Sequence, residues 1–119
     1  MKIVIADDSS LMRDRIKNLL NDINNVSVVG EAENGIDALQ LIRDTEPDMV
    51  ILDIRMPGMN GIEVLKKIRE LKMKTQVCIL TNYPYKQYKD RCLAEGASYF
   101  FDKNQSIDEL IEVVSKLAN

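Results

Sequence analysis

A three-layer α/β/α domain, five parallel strands with helices on both faces, is what this sequence predicts. Three observations carry the prediction. Ile3-Val4-Ile5-Ala6, Met49-Val50-Ile51-Leu52 and Val77-Cys78-Ile79-Leu80 are unbroken apolar runs rather than alternating ones, the pattern of strands covered on both sides. Segments with helical periodicity separate the runs, which implies right-handed crossovers and a parallel sheet. Each run also ends in polar residues, Asp7-Asp8, Asp53 and Thr81, at the edge where open parallel sheets bind ligands.

Taken in order, Ile3 to Asp7 is the first strand, and Ser9-Ser10 cap a helix from Leu11 to Ile23 whose apolar stripe is Leu11, Ile16, Leu19, Leu20 and Ile23. Val26 to Val29 reads as a short second strand ended by Gly30. Asn34-Gly35 opens a helix from Ile36 to Asp44, and Glu46-Pro47-Asp48 stops it. After the central strand and Asp53, a Pro57-Gly58 turn precedes a helix from Ile62 to Leu71, with Asn60 and Glu63 at capping-box spacing. Val77 to Leu80 is the fourth strand. Pro84 to Glu95 reads as a polar helix with few apolar anchors, closed by Gly96. Ser98 to Phe101 is the fifth strand. Ser106 and Glu109, again at capping-box spacing, begin a terminal helix with the stripe Ile107, Leu110, Ile111, Val114 and Leu117.

Length and composition narrow the function. The 119 residues fit one domain, 1–119, with no expected internal boundary, repeat or linker. Sixteen basic and nineteen acidic residues form no basic stripe, so direct nucleic-acid contact by this domain is not expected. No apolar stretch approaches a membrane span and Met1 to Asp8 lacks a signal-peptide core, so a cytoplasmic protein without membrane insertion is expected. Cys78 and Cys92 read as packing residues in a reducing compartment. The chain has no histidine, which leaves carboxylates, Thr, Lys and a hard metal as the available chemistry.

Asp7 and Asp8 end one strand and Asp53 ends its expected neighbour. Carboxylates gathered this way repel one another unless a cation shares the site. An all-oxygen donor set suits Mg2+, or Mn2+ in its place. Such an ion could hold a phosphoryl oxygen against Asp53, making an aspartyl-phosphate feasible, with Thr81 and Lys103 binding the remaining oxygens. Each residue alone has a plainer use: Asp8 as a helix cap, Thr81 as a strand end, Lys103 as a solvated lysine. Their coincidence at the strand ends favours the joint reading.

The pieces Ala6-Asp7-Asp8-Ser9, Leu52-Asp53-Ile54-Arg55-Met56-Pro57-Gly58-Met59-Asn60-Gly61, Leu80-Thr81-Asn82, Gly96-Ala97-Ser98 and Phe101-Asp102-Lys103 resemble, in order and spacing, the receiver domain of two-component response regulators. The resemblance runs from Lys2 to about Leu117 and extends to single-domain chemotaxis-type regulators. It implies a flavodoxin-like fold with strand order 2-1-3-4-5. It further implies that Asp53 accepts a phosphoryl group from the histidine of a sensor kinase or phosphotransfer protein. Asp8 would be the principal side-chain metal ligand, Asp7 would reach the ion through water, and the Arg55 carbonyl would complete the protein's share. The domain would then dephosphorylate itself, with Arg55 and Tyr83 flanking the water's route and tuning the lifetime.

The resemblance also places a two-state switch at Thr81 and Phe100, the latter unable to form the hydroxyl hydrogen bond of the tyrosine often found there. Asn104 departs from the proline that many receivers place after the lysine, which bears on that loop's geometry. Tyr83, Tyr85, Tyr88, Lys89 and Tyr99 fall where the family's fourth helix, fifth strand and fifth helix meet an effector or a homodimer partner. Other classes fit less well. A small aspartate-nucleophile phosphatase lacks a general acid and a cap over its pocket. A flavin module lacks a phosphate-binding loop after the first strand, and a non-phosphorylated pseudo-receiver would not need the intact acidic set.

Overall fold

In the computed structural model, which describes residues 1–119, five strands pair in parallel in the order β2-β1-β3-β4-β5: β1 (Lys2–Ala6), β2 (Ser27–Ala32), β3 (Met49–Leu52), β4 (Gln76–Thr81) and β5 (Tyr99–Asp102). The helices between and after them are α1 (Ser10–Asn21), α2 (Gly35–Thr45), α3 (Gly61–Glu70), α4 (Lys86–Ala94) and α5 (Ile107–Ala118). Alternation along the strands divides the core in two. Ile3, Ile5, Met49, Ile51, Cys78 and Leu80 face α1 and α5, where Ile16, Leu20, Leu110 and Val114 meet them. Val4, Ala6, Val50, Leu52, Val77 and Ile79 face α2, α3 and α4. The continuous apolar runs therefore supply two cores from one sheet, and the fold is the flavodoxin-like (βα)5 arrangement.

Local signals set most boundaries. The Ser9 hydroxyl accepts from the Met12 N–H at 3.2 Å and the Asn34 side chain from the Asp37 N–H at 2.8 Å. The Asn60/Glu63 capping box is complete in both directions, at 2.9 and 3.2 Å. The corresponding box at Ser106 is absent. Ser106 instead donates its N–H to the Asp102 carbonyl at 2.8 Å, in a tight turn that takes it out of the extended conformation a cap requires.

Other expectations shift. β2 runs on through Gly30 to Ala32, because the extra residue Val29 is absorbed as a bulge opposite Ile3 and Val4 and because Leu41 lies over Gly30, where a β-carbon would come within 2.7 Å of it. Leu11, Ile36 and Leu117 are not core residues, Leu11 being 81% exposed and Ile36 61%. They sit in first or last helical turns, which overhang the ends of the sheet and find no strand beneath them. α4 begins two residues after Pro84, lacks a side-chain cap and fully buries only Cys92. No helix is long and apolar enough to cross a membrane.

Candidate functional site

The strand register brings the polar ends together. Hydrogen bonding continues one residue past the strands: Asp7 N–H donates to the Ala32 carbonyl at 3.0 Å, Asp53 N–H to Ala6 at 2.9 Å and Lys103 N–H to Thr81 at 2.9 Å. The backbones bearing these side chains are thus held by the sheet rather than by free loops, at the crevice where β1 pairs with both β2 and β3.

Asp7, Asp53 and Lys103 are almost wholly enclosed, at 2%, 6% and 6% exposure, while Asp8 faces solvent. The Lys103 ammonium donates to Asp53 Oδ2 at 2.9 Å and lies 2.6 Å from Asp7 Oδ2. Backbone N–H groups take the other oxygens, Ile54 donating to Asp53 Oδ1 at 2.8 Å and Ser9 to Asp7 Oδ1 at 2.9 Å. Burial pushes the Asp53 carboxyl above the usual carboxylate range, and Lys103 offsets this only in part. Burial alone would draw Lys103 down, but its bonds to Asp7 and Asp53 outweigh that and hold it above its ordinary value, so it remains a cation. The pairing of Lys103 with Asp7 is a feature that spacing alone did not indicate.

One oxygen from each of Asp7, Asp8 and Asp53 lies within 4.8 Å of the others. Ligand oxygens about 2.1 Å from an octahedral Mg2+ are roughly 3.0 Å apart when adjacent and about 4.2 Å when opposite. Three ligands of one octahedral ion include at least two adjacent pairs, so the carboxylates suit a small hard cation once they close from the 4.8 Å limit toward roughly 3.0 Å, or with a water interposed. Lys103 and Ser9 engage the two oxygens of Asp7, and Lys103 and Ile54 those of Asp53, whereas no hydrogen bond engages the Asp8 carboxylate.

Two further residues support the site backbone, in roles that the sequence pattern did not assign them. A β-carbon at Gly61 would stand 2.0 Å from the Asp53 carbonyl oxygen, so only glycine lets α3 begin against the site backbone, where its N–H reaches the Ile54 carbonyl at 2.7 Å. Arg13 donates to the Asp7 carbonyl at 2.6 Å and is held by Glu31 at 3.0 Å. The signal for Gly61 was its place directly after the Asn60 cap. Arg13 had none, being one of several polar residues on α1.

The remaining candidates separate into groups. Thr81 is fully buried, and its Oγ1 accepts from the Tyr83 N–H at 3.0 Å. The Arg55 guanidinium lies over the Tyr83 ring, 3.6 Å from its centroid, and donates to the Tyr88 hydroxyl at 3.4 Å. Tyr85 bridges the two tyrosines, with centroids at 6.1 and 5.7 Å. Phe100 is half-buried against the α2/α3/α4 core, whereas Tyr99 stacks on Phe101 over the α1/α5 core. Tyr88 and Tyr99 thus flank the edge strand β5 from opposite sides of the sheet, with Lys89 exposed on α4. After Lys103, the Asn104 N–H donates to Asp102 Oδ1 at 2.8 Å, a bond proline could not make, and every peptide bond in the loop is trans.

Residues 3–115 match the family model of the response regulator receiver domain. Among relatives, the response regulator GacA of Pseudomonas aeruginosa is 30% identical over 117 residues, 98% of this chain and 55% of that protein. A protein-glutamate methylesterase/protein-glutamine glutaminase of Clostridium acetobutylicum is 37% identical over 119 residues, covering 98% of this chain but 34% of its own length. A solved DNA-binding response regulator of the LuxR family from Staphylococcus aureus superposes with a TM-score of 0.91 at 33% identity, over 99% of this chain and 98% of that one. The chain spans about half the length of curated regulators such as GacA, and about a third of the methylesterase. Fold, site and relatives agree, and the chain belongs to the receiver-domain family of two-component response regulators.

Proposed function

We propose that Asp53 accepts a phosphoryl group from the histidine of a sensor kinase or phosphotransfer protein, and that the chain works as a phosphorylation-dependent switch. The observation that carries this reading is a buried carboxylate paired with a cationic lysine beside two further acids on one sheet edge. An Asp53 oxygen attacks phosphorus as the bond to the donor nitrogen breaks, the electron pair leaving with the donor imidazole. Asp8 and Asp53, Asp7 through water, and the Arg55 carbonyl would hold Mg2+, or Mn2+, which when bound supplies positive charge to the phosphoryl oxygens. Lys103, already 2.9 Å from Asp53, pairs with one of those oxygens in place of the lost carboxylate charge. Thr81 gives its hydroxyl to another. Water attacking in line later restores Asp53, with Arg55 and Tyr83 beside its route.

Thr81 moving toward the phosphoryl group opens room on the face it shares with Phe100, whose ring can then move inward. The readout would be a changed α4, β5 and α5 surface offered to an effector or a second copy, in the cytoplasm. Incubation with Mg2+ and acetyl phosphate should yield one phosphoryl adduct by intact-mass spectrometry, absent with a chelator and absent in Asp53→Asn. An unmodified wild-type mass under these conditions defeats the proposal.

A further inference from the structure

α4 is the least anchored helix of the fold. It has no side-chain cap, fully buries only Cys92, and carries a polar sequence, Lys86-Gln87-Tyr88-Lys89-Asp90-Arg91. Its tie to the body near the site is aromatic: the Tyr88 ring packs against the α2/α3/α4 core while its hydroxyl accepts from Arg55. Arg55 meets Tyr83 and Tyr88 together, and Tyr85 closes the group into a ring of four contacts. At 3.4 Å the hydroxyl bond is long, so position comes from the combination: a guanidinium carbon 3.6 Å from the centroid of one ring and a tether to the hydroxyl of another. The same ring is coupled to the reaction site at both ends. Arg55 follows Asp53 by two residues, and the Tyr83 N–H is the donor that occupies Thr81 Oγ1.

We propose that Tyr88 is a positioning residue that holds the Arg55 guanidinium over Tyr83, so that the lifetime of a phosphoryl group on Asp53 and the docking of α4 are set by one shared contact. This rests on the reading of Asp53 as phosphoacceptor. On that reading the Arg55 guanidinium and the Tyr83 ring flank the water's approach to Asp53, and the Tyr88 hydroxyl is the contact that fixes the guanidinium there. Coupling of this kind is reciprocal: a partner that draws Tyr88 away shortens the lifetime, and loss of Arg55 loosens α4.

The test follows decay of the adduct by intact mass in wild type, Tyr88→Phe, Arg55→Ala and the double variant, after removal of acetyl phosphate. Tyr88→Phe keeps the ring packing and removes only the acceptor. It should hasten loss about three-fold, whereas in the Arg55→Ala background the same change should leave the rate within about 1.5-fold. The Arg55 Nε–H resonance should lie upfield in wild type, from the ring current of Tyr83, and move toward its ordinary position in Tyr88→Phe. Amide hydrogen exchange across α4 should quicken in Arg55→Ala. An unchanged or slower decay in Tyr88→Phe, or an equal change with and without Arg55, overturns the proposal. Failure of wild type to form any adduct would instead strike the phosphoacceptor reading, since the Arg55 resonance and α4 exchange are read without phosphorylation.

Discussion

Gly61→Ala isolates the dependence of the site on a backbone contact. The added methyl group would meet the Asp53 carbonyl oxygen at 2.0 Å and Ile54 Cα at 2.9 Å. Reaching ordinary contact requires a displacement of about 1.4 Å, and the obstacle is backbone tied into the sheet through the bond from Asp53 N–H to Ala6, not a side chain able to rotate. Helix propensity alone would favour alanine by up to ~1 kcal/mol. Overpacking costs about 1–3 kcal/mol, and a methyl 2.0 Å from fixed backbone falls at the upper end, about 3 kcal/mol, so the clash wins and a net loss of about 2 kcal/mol is expected. For a domain of this size that lowers the melting temperature by roughly 8 °C. Gly58→Ala is the control: its φ of 74° makes alanine strained, but the β-carbon meets nothing nearer than Ile36 Cδ1 at 3.4 Å, so a loss of about 1 kcal/mol is expected. Thermal unfolding by circular dichroism compares the two. Below its melting point Gly61→Ala should also phosphorylate at least ~10-fold more slowly, because the Asp53 backbone has moved. A Gly61→Ala protein melting within about 2 °C of wild type would show that Gly61 does not restrain the site.

Lys103→Met removes the cation paired with Asp7 and Asp53, and should destabilise the metal-free protein by about 3 kcal/mol. Because an ammonium no longer competes for the carboxylates, added Mg2+ should raise its melting temperature more than that of wild type; an equal or smaller rise would refute the competition. Asn104→Pro loses the donor to Asp102 Oδ1 and should cost about 1–2 kcal/mol in a denaturant titration, whereas Asn104→Ala, which keeps the N–H, should be nearly neutral. A proline variant as stable as wild type would count against that turn. Lys17 and Arg13 hold the Glu31 carboxyl below its usual range. A depressed value means stabilisation present above the unfolded pKa of about 4.3 and lost as pH falls through the folded one. The melting-temperature advantage of wild type over Glu31→Gln should therefore be small at pH 7 and vanish on acidification; a difference that grows toward low pH would contradict the assigned pairing.

The sheet was legible because its strands are buried on both faces: runs such as Val77 to Leu80 have no competing helical period, and polar residues mark where each stops. The acidic edge was legible for the same reason, since parallel register carries Asp7 and Asp53 to one level without any knowledge of side-chain geometry. Helix faces were read less well at their ends. Periodicity assigns Leu11 and Leu117 to a stripe, but it does not encode how far the sheet extends beneath them. Gly30 reads as a strand stop in isolation, and only the bulge at Val29 and the Leu41 side chain show why a glycine belongs inside β2. Contacts between residues far apart in the chain lay beyond one-dimensional reading. Arg55 on Tyr83 and Tyr88 spans three elements, and Tyr99 parts from the other tyrosines because neighbouring residues of β5 face opposite cores.

On the proposed function one carboxylate, Asp53, takes the phosphoryl group while Asp7 and Asp8 do not. Borohydride reduction of the protein treated with Mg2+ and acetyl phosphate converts an acyl phosphate to an alcohol that peptide mass mapping can locate. Reduction confined to Asp53, and absent from Asp53→Asn, is the predicted result. Reduction at Asp7 or Asp8, or none anywhere in wild type, would contradict it.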